Sequence, residues 1–128
     1  MIKTSELQRL ADALSVPDGG FTVDVITGHT PRTGYMVSIF PDRSKVISDP
    51  IETLDLIVYV GQHHEILDEP GSYFGGWHDP HTGKIWLDIS VRVSTRERAE
   101  RLCQTYHQLA YFDLDLQHSV CAAPMVLA

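Results

Sequence analysis

Residues 73–91, YFGGWHDPHTGKIWLDISV, constrain the fold of this chain more than any other stretch. Two apolar runs flank Asp79, Pro80, Thr82 and Gly83, the residue types that build a tight connection between two strands. In the second run Ile85, Leu87, Ile89 and Val91 alternate with Trp86, Asp88, Ser90 and Arg92. A period of two gives that strand one face for a core and one for solvent. Gly75 and Gly76 interrupt the first run, where glycine marks a bulge or a close backbone approach more often than a ligand loop. A lone hairpin is marginal in water, so other elements must cover its apolar face.

Helical spacing recurs at residues 4–15, where Thr4 or Ser5 serves as cap and Leu7, Leu10, Ala11 and Leu14 form one face. Pro17, Gly19 and Gly20 end that helix. Phe21, Val23 and Val25 then read as a first strand and Tyr35, Val37 and Ile39 as a second, paired as a hairpin around a polar loop at 27–34. Lys45–Ile47 reads as a short strand extension. Ser48 or Asp49 caps a second helix that starts with Pro50 and runs to about Leu67. The β-branched run Leu56–Val60 also fits a buried strand, and length and capping decide for helix. A third helix starts after Ser94 or Thr95 and faces inward with Ala99, Leu102, Cys103, Tyr106 and Ala110. Residues 111–116 alternate as a last strand, and 119–128 read as a C-terminal tail. The expected fold is α+β: one domain over residues 1–118, with about five strands in a mixed or antiparallel sheet and three helices. Their order is α-β-β-α-β-β-α-β.

Composition removes several alternatives. With 43% hydrophobic and 21% charged residues, the chain is not of the disordered class. The longest apolar run, Leu56–Val60, is far too short to span a bilayer, and the residues after Lys3 lack the apolar block of a secretory signal. A cytoplasmic location follows as the expectation, and there Cys103 and Cys121 stay unpaired.

The net charge of −7 is concentrated in one place. Between Val46 and Gly83 there is no lysine or arginine, while Asp49, Glu52, Asp55, Glu65, Asp68, Glu69 and Asp79 all fall there. The rest of the chain holds ten acids and ten bases. Such a field repels nucleic acid and attracts basic surfaces. A solvated helix face accounts for the pattern most simply. The sharper reading makes Glu52, Asp55, Glu65, Asp68, Glu69 and Asp79 a contact surface for a basic partner, with the acids exposed and not paired internally.

Catalytic signatures are absent: there is no G-x-S-x-G, H-E-x-x-H, P-loop or G-x-G-x-x-G, and nothing implies a cofactor. His78 and His81 could seed a metal site, but zinc needs three or four converging ligands, so exposed polar histidines are the plainer expectation. Cys103 and His107 share a helix face, yet the neighbours of Cys103 make it a small buried hydrophobe. Trp77 and Trp86 both belong to the central hairpin. Aromatic burial favours packing both beneath a helix. The alternative puts Trp86 on the outer face beside Asp88, where it would be an interface anchor.

The segments GGFTV, TGHTPRTGYMVSIFP, PGSYFGGWHDPHTGKIWLDISVRV and AERLCQTYHQLAYFDLD resemble a family of small, largely uncharacterised proteins and domains of bacteriophages and conjugative elements. The W-x-D-x-x-T-G-K-x-W/Y-L-D-x-S block, Trp77 to Ser90, is the most specific part, and the resemblance covers about residues 19–116. His78 and His81 are not part of that pattern. The resemblance implies mobile-element cargo found in company with anti-restriction functions, and it carries no catalytic residues. The resulting expectation is a binding protein of the bacterial cytoplasm. It would block a host defence nuclease, in an anti-CRISPR-like or anti-restriction-like way, by occupying a basic nucleic-acid groove. It would touch neither nucleic acid nor membrane itself. The competing expectations are a small enzyme, a nucleotide-using transferase or metal-dependent hydrolase built on the His-rich middle, and an assembly partner of another phage protein.

Overall fold

A computed structural model describes residues 2–122 of the chain. Helix α1 (Thr4–Leu14) buries Leu7, Ala11 and Leu14, as its spacing requires. It begins without a side-chain cap: Lys3 stands at the N-cap in extended conformation, and its carbonyl accepts the N–H groups of Glu6 and Leu7. Strands β1 (Gly20–Val23) and β2 (Tyr35–Val37) follow, then a 3₁₀ turn at Pro41–Arg43 and strand β3 (Lys45–Ser48). Helices α2 (Thr53–Gln62) and α3 (His64–Leu67) precede the central hairpin, β4 (Ser72–His78) and β5 (Lys84–Val93). Helix α4 (Arg96–Tyr106) leads to β6 (Ala110–Asp113) and β7 (His118–Cys121).

The seven strands form one antiparallel sheet in the order β1-β4-β5-β2-β6-β7. The ten-residue β5 exceeds its neighbours and so takes two partners on one edge: β3 along Lys84–Leu87 and β2 along Val91–Val93. The fold class is α+β as the patterning indicates, with more elements than expected and no parallel pair.

The differences have local causes. The first two strands do not form a hairpin with each other. β1 pairs with β4, matching Val23 to Phe74, and β2 pairs with β5 and β6. Each thereby extends a different core, and alternation inside a strand cannot name its partner. The helix expected from Pro50 to Leu67 starts later and breaks. Glu52 is the N-cap and forms a reciprocal capping box with Asp55, which fixes the first turn at Thr53. At His63 the backbone leaves the helical region, so α3 is one separate turn. Strand β6 stops at Asp113, whose buried Oδ1 accepts the N–H groups of Asp115 and Leu116 and turns the chain. Gln117 completes that turn at φ 56°, and residues 118–121 then form β7, part of the stretch expected as a tail. Residues 123–128 of that tail lie outside the described residues.

Two apolar clusters hold the helices to the sheet. In the larger, Leu14, Leu56, Tyr59 and Leu67 meet Phe74, Ile85, Leu87 and Ile89. In the smaller, Ala99 and Cys103 of α4 meet Val37, Val93 and Tyr111. Ile85, Leu87, Ile89 and Val93 share one parity on β5, so both clusters lie on the same side of the sheet. All four helices cover that side. Each fully buried apolar side chain there contributes about 1.5–3 kcal/mol.

Candidate functional site

Among the described residues, no helix covers the other side of the sheet. Cross-strand register lines up Val46, Trp86, Trp77 and Gly20 across β3, β5, β4 and β1. Val46 is 43% exposed and both indoles are 42% exposed. This corrects the expectation that the tryptophans pack beneath a helix: on β5 Trp86 has the opposite parity to Ile85 and Leu87, and no helix reaches that side. The Trp77 indole N–H donates to Asp18 Oδ1 at 2.9 Å, which fixes the ring at the sheet margin.

The next row inward is Asp88, Gly75 and Thr22. Gly75 has no side chain, and the Asp88 carboxylate occupies the space it leaves. A Cβ on Gly75 would stand 2.5 Å from Asp88 Oδ1. Glycine here marks a close approach, and the ladder from Ser72 to His78 runs without a bulge. Gly76 serves the opposite face, where a Cβ would stand 2.7 Å from the Phe21 ring. Burial pushes the Asp88 carboxyl above its usual range, and no neighbouring base offsets it. Among the described residues its carboxylate has neither a hydrogen-bond donor nor an ion-pair partner, and its oxygens stay open to the groove.

These rows form the floor of a groove of about 890 Å³. Thr30 and Pro31, from the polar loop at 27–34, wall one side, and Met36, Ala110, Phe112 and Ser119 extend the floor toward the far edge. The lining holds two acids, Asp18 and Asp88, and no lysine, arginine or histidine. Arg92 shares this face of β5, but its guanidinium donates to the Thr33 carbonyl and hydroxyl at 2.6 and 3.0 Å. The groove combines apolar and aromatic surface with one recessed, unpaired negative group.

The acidic residues are distributed differently. Glu52 and Asp55 sit at the start of α2 and Glu65, Asp68 and Glu69 at the far end, so α2 separates the two groups by about 15 Å. Several are engaged internally, which corrects the expectation of unpaired acids. The Asp55 carboxylate accepts the Glu52 N–H at 2.9 Å in the capping box. Glu65 lies 3.8 Å from Arg43, and Asp68 lies 3.8 Å from His64. Asp79 belongs to the β4–β5 turn, where its Oδ1 accepts the His81 N–H, and that bond lowers its pKa. Glu52, Glu65, Asp68 and Glu69 are exposed.

The histidines do not converge. His78 is buried, with Nδ1 2.8 Å from the Leu14 carbonyl, so it ties the hairpin to the end of α1. His81 is exposed in the turn. His63 stacks near Tyr59 and bonds Arg43, and burial and that arginine lower its pKa. Among the described residues no group of three or more His, Cys, Asp or Glu side chains could hold a metal ion. Cys103 is buried, its thiol pKa raised by that burial, and its Sγ is 3.7 Å from the Ala110 carbonyl. Such a thiol is a poor nucleophile. Among the described residues no helix is long and apolar enough to cross a membrane.

Of the residues singled out in the sequence, Trp77, Trp86 and the loop at 27–34 come together in the groove, while the acids lie apart from it. The sequence reading missed Gly75 and Thr22 as neighbours of Asp88, because only cross-strand register brings them there, and it missed Asp18 as the partner of the Trp77 indole. No family model, curated protein or solved structure matches the chain.

Proposed function

We propose that this chain is a binding protein that docks its helix-free sheet face onto a basic protein partner. In line with the mobile-element resemblance, that partner is a host defence nuclease whose nucleic-acid groove the chain obstructs. One observation carries the reading: a groove of about 890 Å³ lined by exposed aromatics and two acids, with no basic residue in its lining. Exposed apolar patches rimmed by polar groups mark interaction sites, and tryptophan is prominent among interface anchors. Nuclease grooves are lined with lysine and arginine, the complement of this surface. The exposed acids on α2 and α3 add a long-range field that speeds encounter.

The test titrates purified chain into plasmid cleavage by CRISPR and restriction nucleases of the host. The expected result is a stoichiometric block of one nuclease that weakens as salt rises. A chain that blocks none of them, or that itself turns over a substrate, would overturn the reading.

A further inference from the structure

We infer that the groove above Asp88 receives an arginine side chain of the protein partner, the guanidinium meeting Asp88 and its flat face lying against Trp86. This rests on the reading of the sheet face as a docking surface and names the chemistry it recognises.

Four observations converge on it. The Asp88 carboxylate sits where a side chain on Gly75 would be, at the floor of an open groove. Among the described residues nothing donates to it, so its oxygens face the groove free to accept from a ligand. A visiting cation would supply the partner that the chain itself does not. Trp86 lies on the same face two residues away, about 7 Å along the strand, and Trp77 stands directly across from it. Finally, two acids, Asp18 and Asp88, line the groove and no base does; of the two bases on the same face of β5, Lys84 stands four residues from Asp88 outside the lining, and Arg92 is held by Thr33.

Arginine suits this arrangement better than lysine. Its planar guanidinium pairs with a carboxylate through two parallel hydrogen bonds and stacks on an indole, and it is more weakly hydrated than an ammonium. The raised carboxyl pKa fits a site that is desolvated and lacks its cation. Arginine binding would favour the ionised form and lower that pKa.

The probe is the tripeptide acetyl-Gly-Arg-Gly-amide. Its controls are the citrulline peptide, which keeps the shape and loses the charge, and the lysine peptide. The chain has two tryptophans, so two indole N–H signals in a ¹H–¹⁵N spectrum report on the groove, assigned by Trp77→Phe and Trp86→Phe. The expected result is a saturable shift of the Trp86 signal with the arginine peptide, about ten-fold weaker with citrulline and several-fold weaker with lysine. Asp88→Asn should reduce the arginine response to the citrulline level while keeping a dispersed spectrum. Equal response to arginine and citrulline, equal response to arginine and lysine, or an unaltered response in Asp88→Asn would each overturn the inference. The failures separate cleanly. A chain that blocks a nuclease but ignores the peptide loses the arginine pocket and keeps the docking reading. A chain that binds the peptide but blocks nothing keeps the pocket and loses the nuclease.

Discussion

The two faces of this sheet are built from the same strands and have opposite contents. On β5, Ile85, Leu87 and Ile89 are wholly buried beneath helices, while Trp86 and Asp88 between them face a groove. On β4, Phe74 stacks against Tyr59 in the core, and its neighbour Gly75 cedes its side-chain space to the Asp88 carboxylate. The covered face satisfies every rule of a stable core. The other exposes two indoles and holds a half-buried acid without a partner in the chain. The proposed contact therefore lies on the face that carries these features.

The comparison can be broken most forcefully at its apolar anchors. Phe74→Ala should destabilise the fold by about 3–5 kcal/mol, whereas Trp86→Ala, a larger deletion on the open face, should cost about 1 kcal/mol or less. Urea denaturation of both variants checks this. Equal losses would mean that Trp86 is a core residue. The paired glycines sharpen the contrast. Gly76→Ala drives a methyl into the Phe21 ring and toward Leu14, at a cost of about 1–3 kcal/mol. Gly75→Ala meets the Asp88 side chain, which can swing into the groove, so melting should move little while the carboxylate is displaced.

Asp88→Asn should raise stability at neutral pH by about 1 kcal/mol, the scale of a desolvated polar group without a partner. The direction follows from linkage. The folded state holds the Asp88 proton more tightly than the unfolded chain, so ionisation opposes folding. The penalty is absent below the unfolded carboxyl pKa and grows as pH rises from there through the raised folded value. Thermal melts from acid to neutral pH should therefore show the variant's advantage appearing across that window and vanishing in acid. An advantage independent of pH would place the cause elsewhere. The smallest effect is expected on the helices. Glu65→Lys with Asp68→Lys should change stability by about 0.5 kcal/mol or less, because exposed ion pairs contribute little. In stopped-flow association these reversals should slow the on-rate and flatten its salt dependence.

What the sequence made legible was local. The hairpin at 73–91 could be read because its alternation and its turn residues lie within a few positions of one another. The Trp86–Asp88 adjacency on one outer face was legible for the same reason. The pairing of β1 with β4 was not, since Val23 and Phe74 meet across fifty residues and nothing in either strand names the other. The tryptophans were expected in the core because hydrophobicity reports a preference for burial and not which face the helices will cover. The helix break at His63 and the short strand at 118–121 turn on single-residue geometry. The base-free stretch from 46 to 83 was plain to read, yet charge counting could not show that Glu52 and Asp55 are tied to each other or that α2 holds the acid groups apart.

The central claim is that the helix-free face, and not the acidic helices, makes the contact. The measurement that tests it most directly is the affinity of two double variants for the nuclease that the parent chain blocks, read by calorimetry at one salt concentration. The account predicts that Trp86→Ala with Asp88→Asn weakens binding by about a hundred-fold or more, as loss of a central anchor and its charge pair does. Glu65→Lys with Asp68→Lys should weaken it by only a few-fold. The reverse ranking, with the sheet-face variant binding like the parent and the helix variant losing the complex, would contradict it.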